Sequence, residues 1–168
     1  MANNGPVFAA SWAALHRIIS AEEFPPAPVE PAGPVKVAYS TWGQEGEPHE
    51  GVLVRTITAN DDEDWAGLGD QPTDRDVTYQ AIVEIGTSLP GRTPAQAAAR
   101  LSEIVAVVYS SVRRSARPPH PVEFLDPVSG EDRFLWWSIA LTDAVVGVLP
   151  SNTHGGYARL VVSTRARI

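Results

Sequence analysis

The chain contains no cysteine, which excludes disulfides, thiolate nucleophiles and Cys-ligated zinc or iron-sulfur centres. No apolar run approaches the ~20 residues that a membrane-spanning helix requires. Residues Met1 to Ile19 lack the basic start and unbroken apolar core of a secretory leader, because Asn3, Asn4, Ser11, His16 and Arg17 interrupt them. A soluble protein made and used in the cytoplasm is the expectation. Basic residues are also short: 13 Lys+Arg against 20 Asp+Glu give a formal charge of -7. The chain as a whole therefore repels nucleic-acid phosphate and anionic membrane, and any DNA contact has to be local or non-adhesive.

Sequence signatures of common enzymes are missing too. There is no G-x-S-x-G elbow, G-x-x-x-x-G-K-[ST] phosphate loop, H-E-x-x-H or G-x-G-x-x-G. Gly67-Leu68-Gly69 lacks the third glycine and sits among charged residues. The histidines His16, His49, His120 and His154 lie in different predicted elements, so spacing assembles no metal set. No catalytic residue, cofactor site or metal site is expected.

What is present is one ordinary domain, residues 1–168. Phe8, Trp12, Leu15 and Ile19 form one stripe of an opening helix, with Pro6 in its first turn. The segment PPAPVEPAGP, residues 25–34, reads as a semi-rigid connector near polyproline geometry. Alternation predicts strands at Val35–Tyr39 and Val52–Thr56, and Gly43, Gly46, Pro48 and Gly51 between them suggest a hairpin with a long tip. A third strand places Val77, Tyr79, Ala81, Val83 and Ile85 on one face.

The next helix announces itself through its cap. Thr93 caps it, Pro94 takes the first position and Gln96 completes a capping box. Ala97, Leu101, Ile104, Val105, Val108 and Val112 then form its apolar stripe, and Pro118 and Pro119 forbid continuation past about Arg114. Arg133–Leu149 and Tyr157–Ile168, split by PSNTHGG, read as two long strands. The predicted class is α+β, with a mainly antiparallel sheet of four to five strands, two helices on one face and the order α-β-β-β-α-β-β.

Charge is distributed one-sidedly. Between Gln44 and Asp76 stand ten acids and two bases, against ten acids and eleven bases elsewhere. Asp61, Asp62, Glu63, Asp64 and Asp70 crowd one loop, with Asp74 and Asp76 close behind. The register of a calcium loop is missing, which leaves a solvated loop or a surface that must not adhere to DNA. Arg113, Arg114 and Arg117 either cap the helix or face an acidic partner. The closing strand is apolar on one face and carries Arg159, Arg165 and Arg167 on the other; its free edge is expected to join a neighbouring subunit, with Tyr157 and Trp136 as further interface candidates.

The segments FAASWAALHRIISA, VKVAYS, RDVTYQAIVEIGTSLPGRTPAQAAARLSEIVAVVYSSVR and GGYARLVVSTRARI together resemble the tail terminator, or tail-completion, proteins of long-tailed bacteriophages, particularly those of actinobacterial hosts. The proline-rich 25–34 stretch and the acidic loop depart from that pattern as extensions. The resemblance implies a structural virion protein at the neck end of the tail, assembled in the host cytoplasm. Its partners would be further copies of itself in a hexameric ring, the tail tube protein and the head-tail connector. Genomic DNA would pass the lumen without specific binding, and the 61–76 loop or the 44–51 tip would line it. The alternatives are another neck protein, or an α+β ligand-binding domain or enzyme with a pocket lined by Trp12, Tyr39, Tyr79 and Trp136.

Overall fold

A computed structural model describes residues 5–27, 34–39, 42, 48–60, 76–88, 90–115, 122–125, 132–148 and 154–167. Its elements are α1 (Gly5–Ser20), β1 (Lys36–Tyr39), β2 (Glu50–Asn60), β3 (Asp76–Thr87), α2 (Pro94–Ser115), β4 (Val122–Leu125), β5 (Asp132–Val148) and β6 (His154–Arg167). The fold is α+β, as the periodicities predict. Its strands form a single six-stranded sheet in the order β1-β2-β3-β6-β5-β4. The strand beyond the expected four to five is β4, whose four residues are too few to show a clear alternation.

Both helices lie on one face. Ala81, Val83 and Ile85 of β3 are paired in register with Val162, Leu160 and Ala158 of β6, and all six are buried. Over them α2 lays Ala97, Leu101, Ile104, Val108 and Val112, all buried, while Val105 at the margin is half-buried. The approach is close: a Cβ at Gly156 would come within 3.1 Å of Leu101. The predicted cap forms as read, since the Thr93 amide donates to Gln96 Oε1 at 2.9 Å and the Gln96 amide donates to Thr93 Oγ1 at 3.3 Å. Ahead of it Gly91 has φ 74, a left-handed value that glycine adopts without steric penalty. Helix α1 seats Leu15 and Ile19 in the same core, and the Trp12 indole donates to the Val54 carbonyl at 3.3 Å, where the β2 ladder slips before Ile57.

Two topological expectations are corrected. Strands β1 and β2 pair in parallel, so they are not a hairpin; of its expected tip, residues 44–47 lie outside the described residues and Glu50 and Gly51 belong to β2. Turn-forming residues signal that the chain bends, but not whether it returns alongside or crosses to start again. Strand β6 has no free edge: it pairs with β3 from Gly156 to Arg167 and with β5 from His154 to Ala166. The exposed Arg159 alternates with buried Ala158 and Leu160, so its charge belongs to the open face of the sheet and needs no edge.

Two measurements follow. Deleting residues 159–168 removes a strand from the middle of the sheet, so the truncated chain is expected to lose its cooperative thermal transition by circular dichroism. Thr93→Ala removes one half of the cap and is expected to lower stability by about 1 kcal/mol in denaturant unfolding.

Candidate functional site

The most concentrated charge in the described part of the molecule is buried. Glu50 opens β2, Thr87 closes β3, Arg92 follows the Gly91 turn and Arg100 sits in the second turn of α2. All four are buried, Glu50 at 3 % exposure. Arg100 grips the Glu50 carboxylate with two bonds, Nε to Oε1 at 2.9 Å and Nη2 to Oε2 at 2.7 Å. Its Nη1 also donates to Glu103 at 2.9 Å. Arg92 donates to Glu50 Oε1 at 3.2 Å and to the Thr87 hydroxyl at 3.0 Å, and that hydroxyl donates to the same carboxylate oxygen at 3.2 Å. His154 Nδ1 donates to the Arg92 carbonyl at 2.8 Å.

Burial by itself would raise the Glu50 carboxyl, but the Arg100 hydrogen bonds and charge, with those of Arg92 and Thr87, outweigh it and hold the group below its ordinary value. Arg100 is raised in turn, first by its bond to Glu50 and against its own desolvation. The two acids and two guanidiniums balance. This is a clasp rather than a reaction centre: the carboxylate is ionised, saturated with donors and closed to solvent. Sequence reading missed it because Glu50 was counted with the acidic surface and Arg92 and Arg100 drew no notice; the one signal was Arg100 set beside Leu101 within the apolar stripe.

Of the expected interface residues, Tyr157 and Arg159 lie exposed on the face of the sheet away from the helices. Tyr157 donates to Glu84 Oε1 at 2.9 Å, and Arg55 clamps both Glu84 oxygens at 3.1 and 3.0 Å. Burial and then the Glu84 bond raise the Tyr157 phenol. Register sets Arg159 between Glu84 and Asp143, Trp136 opposite Arg165, and Arg167 opposite Asp76. Arg113 lies over the Tyr109 ring at 5.6 Å and Arg114 pairs with Glu22 at 2.6 Å, so both serve the helix end. Asp61, Asp62, Glu63, Asp64 and Asp70 lie outside the described residues, as do His120 and Arg117.

The most conspicuous free surface is the β5 flank. Leu141, Val145, Val146 and Val148 are exposed, at 49, 54, 37 and 64 %. Beside them a trough of about 300 Å³ runs between α2 and β5, lined mainly by Leu101, Val105, Tyr109, Leu141 and Ala144. Its lining differs from the one expected of a ligand-binding pocket. Trp12 packs against the core instead, and the side chains of Tyr39, Tyr79 and Trp136 fall outside the described part. Among the described residues, no three His, Cys, Asp or Glu cluster to hold a metal, and no helix is long and apolar enough to cross a membrane.

The clasp fixes a pH dependence. The folded Glu50 carboxyl titrates below its unfolded value, so its contribution is complete above the unfolded value and is lost as pH falls through the folded one. Glu50→Gln leaves two buried guanidiniums short of a counter-charge and is expected to cost roughly 3–5 kcal/mol at neutral pH. The gap between wild type and variant should narrow toward pH 3, as read by thermal unfolding at each pH. Comparison with known protein families and with curated proteins finds no match to this chain.

Proposed function

We propose that this protein is a tail terminator: copies of the chain form a ring, six in number by the family resemblance, on the end of a phage tail tube. The ring stops tube growth and presents the surface on which the head connector is received. The observation that carries the reading is the open β5 flank, an apolar surface bordered by the trough against α2 and exposed among the described residues. Large apolar side chains exposed together along one strand mark a place where protein meets protein. The family resemblance supplies which proteins those are. The work of such a ring is mechanical, and it calls for no reacting group.

The charge pattern supports the same reading. A passage for DNA works best with walls that do not hold phosphate, and the chain carries its excess of acid in one stretch between Gln44 and Asp76. Glu50 leaves that account because it is buried; Asp61, Asp62, Glu63, Asp64 and Asp70 remain the lumen candidates. A ring of like copies uses a heterologous contact that closes on itself. Its outer surfaces must accept the tube end on one side and refuse further tube protein on the other.

The test mixes purified protein with tube protein under polymerising conditions. Rings confined to one end of tubes of fixed length, seen by negative-stain electron microscopy, are the expected result. Tubes that grow undisturbed, with no collar at either end, would overturn the reading.

A further inference from the structure

We propose that the free edge of β5, from Trp136 to Val148, is where the next copy of the chain adds its sheet, through the edge formed by β1. The inference rests on the ring reading and names its joint.

Among the described residues the edge is long and lightly protected. Strand β4 pairs only with Asp132–Leu135 of β5, whereas β6 accompanies β5 as far as Val148. Among the described residues nothing pairs with the other side of positions 136–148, a stretch of roughly 40 Å at ~3.3 Å per residue. Exposed edges are normally blunted by charge, proline or a bulge. Here residues 136–148 hold no proline and one charge, Asp143, next to the slip between Leu141 and Asp143.

The apolar residues lie on both faces of this strand. Pairing of Ala144 with buried Ala158 places Ala144, Val146 and Val148 on the helix side, and pairing with Tyr157 places Val145 on the other. That is the composition of a strand covered on both faces, found at an edge. A partner lying against one face would leave the other untouched; a partner continuing the sheet sets a cross-strand neighbour beside the residues of both. Leu141, Val145, Val146, Val148 and Tyr157 are the large apolar residues that lie exposed among the described ones. With the strand edge and the trough they contribute toward the ~800 Å² that each side gives to a stable interface.

The topology selects a second copy as the occupant. β1 is parallel to β2, and each step from β2 through β3 and β6 to β5 is antiparallel. Strand β5 therefore runs opposite to β1. A copy displaced sideways in the plane of the sheet, without being turned over, brings its β1 antiparallel to this β5, the more favourable pairing. It also brings its α1, which packs on its own β1 and β2, onto the helix side of the joint. There α1 lies next to α2, over the trough and Leu141.

The experiment compares wild type with Val145→Lys/Val148→Lys by native mass spectrometry and sedimentation, with Glu23→Lys as a charge control. Wild type and control should associate at micromolar concentration. The double variant should associate at least tenfold more weakly, with an unchanged far-ultraviolet circular dichroism spectrum. Because the chain has no cysteine, Ala38→Cys/Val145→Cys treated with a short bismaleimide reports the joint directly. A ladder of multimers from the pair, and none from either single variant, is expected. A dimer from Val145→Cys alone would overturn the joint in favour of a two-fold contact. Rings that persist in the lysine variant without cross-linking would overturn the joint and leave the ring reading standing. A chain that stays single at every concentration and ignores tube ends would overturn both.

Discussion

The width of a six-stranded sheet against that of the helices available to cover it governs the rest of this structure. Strands stand ~4.8 Å apart and packed helices 8–10 Å apart, so two helices shelter about four strands. Here α2 lies over β3, β6 and the near side of β5, and α1 over β1 and β2. The shortfall lands on the β5 side, and the exposure of Leu141, Val146 and Val148 on the helix face is its consequence. The apolar stripe of α2 sets the depth of its packing, but a stripe of similar aliphatics allows a helix to slide along or rotate on a sheet.

What prevents sliding is the Glu50 clasp. A bidentate bond between the start of β2 and the second turn of α2 has a direction and a single position, and Arg92 with Thr87 ties the end of β3 and the helix entry into the same group. Apolar side chains of the same size would pack there with comparable stability. They would not fix the helix at one register. The clasp therefore contributes placement more than net free energy, and it determines how much of the β5 flank α2 leaves open.

Local signals in the sequence were read accurately where the physics is local. The α2 cap depends on Thr93 and Gln96 three residues apart, and its stripe on spacings within one helix, so both were legible. The face of β3 carrying Ala81, Val83 and Ile85 was legible by alternation alone. The parallel course of β1, the short β4 and the interior place of β6 were not, because each is decided by which strand lies beside it rather than by the residues within it. The clasp was hidden for a related reason. Glu50 lies 42 and 50 residues before Arg92 and Arg100, and a charged residue is normally at the surface, so nothing in the linear order marks these as partners.

The same imbalance that exposes β5 bears on how an assembly of such chains would know when to stop. An open sheet with two unlike edges offers one donor edge and one acceptor edge per copy, and a row of copies always leaves one of each unpaired at its ends. Only closure removes them, as it does in a barrel. A ring built through β5 and β1 would be favoured over any shorter chain by one additional joint with no further loss of translational freedom, which makes intermediates scarce. The net charge of -7 acts the other way between rings. Like-charged closed objects have little reason to stack, so a collar of this kind would remain a single layer unless a surface of different chemistry, such as a tube end, engages it.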